Sequence, residues 1–160
     1  MARLVLMCGL PGSGKTTRAR ELERLLPALR LAPDEWLREL GLDGYDEEAR
    51  ARVERLQRRV AERVLALGRH VILENGFWSR CERDELRAWA RSGGHTVELC
   101  LLNPPLDTLR ERLWVRNRRL PAGAFPVRED DLVGWANMFE VPSPEELDLF
   151  DAPRDPHSGP

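Results

Sequence analysis

Gly9-Leu10-Pro11-Gly12-Ser13-Gly14-Lys15-Thr16 decides how this chain is read. The apolar residues 4–8 run into it and stop at Gly9, as a fully buried strand would. From Lys15 the pattern turns helical and stops before Pro27. Strand, glycine-rich turn and helix, with GxxxxGK[ST] filled at every fixed position, predict a nest of inward-pointing backbone N–H groups at a helix N-terminus. Such a nest suits phosphate oxygens. The residues expected around a nucleoside triphosphate are Gly12, Ser13, Gly14, Lys15, Thr16 and Thr17. The Lys15 ammonium would reach the β/γ-phosphates, and the Thr16 hydroxyl would hold Mg²⁺. Of 25 basic residues Lys15 is the single lysine. Guanidinium can replace ammonium in solvent, but not where a compact charge must enter between phosphate oxygens.

Outward from the loop, residues 28–32 read as a second strand, and Pro33 opens a short helix to about residue 40. Ala49, Val53, Leu56, Val60, Val64 and Leu67 recur at spacings of three and four, the signature of an amphipathic helix stopped by Gly68. Residues 70–74 form a third strand. Ser79 and Glu82 have capping-box spacing for a helix to about residue 91. Residues 96–102 form a fourth strand, residues 106–113 lie in a helix opened by Pro104 and Pro105, and another helix covers about 128–139. Residues 146–150 suggest a short fifth strand, and the proline-rich tail 152–160 suggests disorder. Strands alternating with helices imply one α/β domain over residues 1–151, with a mostly parallel sheet of four to five strands covered on both faces.

Composition narrows the class. The 160 residues carry a net charge of −2, so no global basic field draws in nucleic acid or an anionic membrane. No stretch approaches the ~20 apolar residues that span a bilayer, and the short N-terminal apolar run does not fit a signal peptide. A cytoplasmic protein without membrane partners is expected. Cys8, Cys81 and Cys100 lack CxxC spacing and suggest neither disulfides nor zinc. Cys8 and Cys100 read as small buried hydrophobes.

In open parallel sheets ligands gather at the carboxyl ends of the strands. Asp34, Glu74 and Asn103 end or follow strands there, whereas His70 and His95 begin theirs, so no histidine is given a catalytic role. Asp34 could take the proton of an attacking hydroxyl, or simply cap the helix that begins beside it. Glu74 could orient Mg²⁺ through water, although an acid at the end of an apolar strand is common. Arg110, Arg112, Arg116, Arg118 and Arg119 precede a Pro/Gly-rich stretch. Residues 112, 116 and 119 would share one helical face, and Arg112 and Arg116 are the choices for phosphate contact. Residues 117–127 could then move as a lid. Among five tryptophans, Trp36 and Trp78 could wall an acceptor pocket or belong to the core. Trp89, Trp114 and Trp135 read as core.

Taken together, residues 9–17, Asp34 after the second strand and the arginines of 112–119 resemble the small P-loop kinases related to polynucleotide 5′-kinases, chloramphenicol phosphotransferase and zeta-type toxins. The similarity spans about residues 3–147 and includes Pro142-Ser143-Pro144-Glu145-Glu146, similar to a proline-and-acid turn after the lid. The resemblance implies a P-loop NTPase fold with an adenylate-kinase-like, three-layer core. It also implies transfer of the γ-phosphate of ATP, with Mg²⁺, to an acceptor hydroxyl. On that basis Lys15, Asp34 and Arg116 would be catalytic, Arg112 would join the nucleotide site, and Thr16 and Glu74 would serve the metal. Asp34, Arg38, Glu74 and Trp78 would meet the acceptor. Polynucleotide kinases pair the aspartate with an arginine three residues on. Here that position is Leu37, and Arg38 is one further, which favours a small-molecule acceptor such as an antibiotic or metabolite. A polynucleotide 5′-hydroxyl kinase and a nucleotide-binding regulatory module with slow hydrolysis are the alternatives.

Overall fold

Strand β1 (Arg3–Cys8) is buried along almost its whole length, because other layers cover both of its faces. In the computed structural model, which describes residues 1–121 and 123–153, β1 lies between β3 (His70–Gly76) and β4 (Thr96–Leu101), with β2 (Ala28–Leu31) outside β3. All pairings are parallel, in the order β2-β3-β1-β4. Side-chain alternation then divides the interior. Leu4, Leu6 and Cys8 face a large core with Leu73, Val97 and Leu99, whereas Val5, Met7 and Ile72 face a smaller one. Helix α1 (Lys15–Leu25) supplies Ala19 and Leu22 to the small core. The large core takes Ala61 and Leu65 from α3 (Glu47–Ala66) and Leu86 and Ala90 from α4 (Arg80–Ser92). It also takes Leu109 and Leu113 from α5 (Leu106–Arg118) and Leu132 from α6 (Glu129–Met138). Helix α2 (Pro33–Glu39) packs on α3. The architecture is the expected three-layer α/β sandwich with a parallel sheet, and no helix among the described residues is long and apolar enough to cross a membrane.

Several local expectations are corrected. Residues 146–150 form no fifth strand: α7 (Pro144–Leu147) opens with the Ser143 hydroxyl accepting from the Glu146 N–H at 3.3 Å. Glu146 then points inward to a buried ion pair with Arg83, at 2.6 and 3.0 Å from Nε and Nη2. Ser79 precedes α4 but does not cap it; the Glu140 carboxylate accepts from the Arg80 N–H at 2.7 Å instead. Asp34 is not the cap of α2. Ala32 holds that place, and Asp34 lies inside the first turn with its side chain on Arg50. Helix α5 ends at Arg118, so Arg119 leaves the face that carries Arg112 and Arg116. Trp114 is not core but mostly exposed, with the Arg118 guanidinium 3.5 Å above its ring. Cys100 is only half-buried, whereas Cys8 is fully buried. Of the tail expected to be disordered, residues 154–160 lie outside the described residues.

Candidate active site

The loop between β1 and α1 leaves the centre of the sheet, because β1 has a strand on either side. Gly9 (φ +154°) lies so close to the neighbouring strand end that a Cβ there would come 2.4 Å from the Leu102 carbonyl oxygen. At Gly12 (φ +81°) a Cβ would press on Leu113 at 3.0 Å. Neither position tolerates a side chain, so the glycines are explained by packing as well as by backbone freedom. The loop returns to β3 through the Gly9 N–H, which donates to the Gly76 carbonyl at 2.9 Å.

Lys15 turns back over this loop. Its Nζ donates to the Gly9 and Leu10 carbonyls at 2.9 and 2.8 Å. Burial lowers its pKa to about 8, against the opposing pull of Glu74 and Asp34. The Thr16 hydroxyl donates to Glu74 Oε1, and Glu74 Oε2 accepts from Arg30 at 2.8 Å. The expected metal pair is therefore in contact. A loop that excludes side chains, a buried ammonium, a hydroxyl on a carboxylate and the buried, unpartnered Ser13 Oγ are a donor set suited to a triphosphate with a divalent cation.

Asp34 lies within electrostatic reach of Lys15 and receives Arg50 Nη2 on Oδ1 at 2.5 Å. Arg116 is half-buried. Desolvation depresses its pKa, while the charge of Asp34 pulls it back up, which places the two in one field. Its Nη2 donates to the Phe125 carbonyl at 3.3 Å, and its Nε is buried without a partner. Arg112 donates to the Gly12 and Ser13 carbonyls, each at 3.4 Å, so it braces the outside of the loop. Arg112 and Arg116 line one open depression of about 410 Å³ with Glu111 and Val115.

Residues 123–127, beyond α5, lie on α2. Asn117 closes the base of this segment through two hydrogen bonds to Val127, at 2.7 and 3.1 Å. Arg38 donates to the Ala124 carbonyl at 2.5 Å, and the Tyr45 hydroxyl to the Pro126 carbonyl at 3.1 Å. Arg38 thus meets the expected lid rather than Asp34. Trp78 walls the start of the loop, its indole N–H donating to the Gly9 carbonyl at 3.2 Å, and Trp135 packs against it at 5.7 Å between ring centres. Trp36 packs on the large core. His70 sits at the far rim, where its Nδ1 accepts from the Arg3 N–H.

Sequence reasoning missed Arg50 and Arg30. Arg50 is one of six arginines on α3, and its only local signal is a basic residue near an acidic helix N-terminus. Arg30 alternates correctly for the loop face of β2, yet that edge strand is too short for the pattern to show it.

The chain matches, over residues 4–142, the family model described as an AAA domain. No curated protein matches it. Among solved structures it is similar to one of the Pnkp1/Rnl/Hen1 RNA repair complex, at TM-score 0.73 and 18% identity. That match covers 94% of this chain and 46% of the other, so this chain spans about half the length of that one. It is also similar to Chaetomium thermophilum Kti12 in complex with ADP-AlF3, at TM-score 0.66 and 20% identity, covering 89% and 82% of the two chains. A sugar kinase from Janibacter sp. gives TM-score 0.65 and 20% identity, covering 91% and 82%. At these identities the likeness is one of fold.

Proposed function

The chain belongs to the AAA domain family, and on that premise we propose that it is a phosphotransferase moving the γ-phosphoryl group of ATP, with Mg²⁺, to a hydroxyl of a small-molecule acceptor such as an antibiotic or metabolite. The observation that carries this reading is that Asp34 lies within electrostatic reach of both Lys15 and Arg116 at the carboxyl end of the sheet. The loop amides and Lys15 would bind and orient the triphosphate, and Arg112 would hold the loop in shape. Thr16 and Glu74 would hold Mg²⁺, which when bound neutralises charge between the β- and γ-phosphates. Asp34, steadied on one oxygen by Arg50, would accept the acceptor's hydroxyl proton on the other. Arg116 would lay positive charge over the transferring group, and residues 117–127 would exclude water.

A radiolabelled-phosphate screen of hydroxyl compounds and 5′-hydroxyl oligonucleotides tests this. Asp34→Asn should lower kcat by about 10²–10⁴ while nucleotide affinity changes little; an unchanged kcat would remove Asp34 as the base.

A second reading, a 5′-hydroxyl kinase of nucleic acid, is favoured by the arginine on Asp34, supplied here by α3, and by the likeness to a chain of an RNA repair complex. Its mark is a steep salt dependence, with log K falling by about 0.7 per neutralised phosphate for single strands. A regulatory module would bind ATP in Asp34→Ala and yield no phosphorylated product with any acceptor.

A further inference from the structure

Arg30 of β2 pairs with Ile72 of β3. Side chains two residues apart on a strand share a face, so Arg30 and Glu74 project to the same side of the sheet, about 6.6 Å apart along the strand direction. An arginine side chain spans that step, and Arg30 Nη1 donates to Glu74 Oε2 at 2.8 Å. The contact is enclosed, the two side chains being 10% and 7% exposed. Each oxygen of Glu74 therefore has its own donor: the Thr16 hydroxyl on Oε1 and the guanidinium on Oε2.

The other edge of the guanidinium is anchored as well. Its Nη2 donates to both Glu35 oxygens, at 2.8 and 2.7 Å, and its Nε lies 3.4 Å from Glu23 Oε2 of α1. Glu35 in turn is confined. Arg20 of α1 reaches its Oε1 at 3.2 Å, and Gly123 rests on its stem, where a Cβ would come 2.4 Å from Cγ. One rigid fork thus ties the acid at the end of β3 to the first turn of α2.

An exposed ion pair would leave both partners mobile and contribute little. An enclosed planar fork fixes direction as well as charge. Direction is what Glu74 needs, since its carboxylate sits on a flexible stem and has to present one oxygen beside the Thr16 hydroxyl. Partners that orient a metal-binding carboxylate from outside commonly matter almost as much as the carboxylate itself.

We propose that Arg30 is a positioning residue of the reaction centre: anchored on Glu35, it aims Glu74 at the metal position beside Thr16. The proposal rests on the phosphotransfer reading above, in which Thr16 and Glu74 serve Mg²⁺. Lysine would not replace Arg30, because an ammonium keeps the charge but cannot hold two carboxylates in one plane.

The test needs no acceptor. Mn²⁺, in place of Mg²⁺, is titrated by electron paramagnetic resonance into the protein with a non-hydrolysable ATP analogue. Arg30→Lys should weaken Mn²⁺ binding by about tenfold or more, while affinity for the analogue in EDTA stays within about twofold of the parent. In a Glu74→Gln background the same substitution should change Mn²⁺ affinity by less than about twofold, because the route through the carboxylate is already gone. Glu35→Gln alters a side chain that is 31% exposed. It removes the anchor, should weaken Mn²⁺ in the same sense, and carries the test if Arg30→Lys does not fold. A clamp that only holds the fold together would lower Tm and leave Mn²⁺ affinity alone. Unchanged Mn²⁺ affinity in the folded variants, or an equal loss with and without the Glu74 carboxylate, overturns the proposal and leaves phosphotransfer standing. No binding of the analogue by the parent removes the phosphotransfer reading and this proposal with it.

Discussion

Lys15 carries a charge consequence that can be read in solution. In the free protein its ammonium rests on two carbonyls of its own loop, and burial holds its pKa near 8 rather than the usual 10.5. A bound triphosphate supplies the negative charge that burial denies, so the pKa rises on binding. The sign follows: at pH 8 about half the free molecules lack the proton, and binding takes up about half a proton per nucleotide. Near pH 6 the uptake vanishes, and above pH 8 affinity falls as the ammonium is lost. Calorimetry in two buffers of different ionisation enthalpy reads the uptake directly. Lys15→Arg should show none, because guanidinium does not deprotonate in this range. Zero uptake by the parent at pH 8 would mean that the ammonium does not meet the phosphates. The loop's side chains were legible in the sequence because the motif is contiguous and its spacing is set by one turn of backbone. The partner of Asp34 was not. Arg50 follows 16 residues later on another helix, and only the packing of α2 on α3 brings it there.

At the scale of elements, α7 separates what local pattern can decide from what it cannot. Residues 146–150 alternate acid and apolar side chains as a strand does, yet Pro144 and the Ser143 cap start a helix, and Glu146 goes inward to Arg83 of α4. Arg83 also donates to the Phe77 carbonyl at 2.9 Å, next to a backbone held at φ +50°. The pair therefore fastens α7, α4 and the end of β3 together. Its two members are 63 residues apart, so no window of sequence contains the cause. The same reasoning covers Ser79, whose capping role is taken by Glu140 from beyond α6. By contrast the strands and α3 were readable, because burial on two faces and the three-and-four spacing are properties of each segment alone. Removing one partner leaves a buried charge unpaired, so Glu146→Ala should cost about 3–5 kcal/mol of stability in urea unfolding. Arg83→Met with Glu146→Leu should recover most of that loss. A loss below about 1 kcal/mol in the single variant would mean that Arg83 reaches another partner or water.

For the whole molecule, the sheet order matters more than any one contact. Because β1 is central, the loop that follows it touches both cores: α1 rises from it into the small one, while Gly12 rests against Leu113 of the large one. A nucleotide held by that loop should consequently stabilise the folded chain as a unit rather than one layer of it. Mass action sets the size. Mg-ATP at about a hundred times its dissociation constant adds about 2.7 kcal/mol, which in a chain of this length raises Tm by about 5–10 °C. Scanning calorimetry with and without Mg-ATP measures it, and a single shifted transition is expected because both layers meet at the loop. In Lys15→Ala the main charge contact is gone, so the same concentration should move Tm by less than about 2 °C. If the parent's transition stays in place while the protein is folded and magnesium is present, the loop holds no triphosphate, and the acceptor chemistry argued from Asp34 and Arg116 loses its phosphoryl donor.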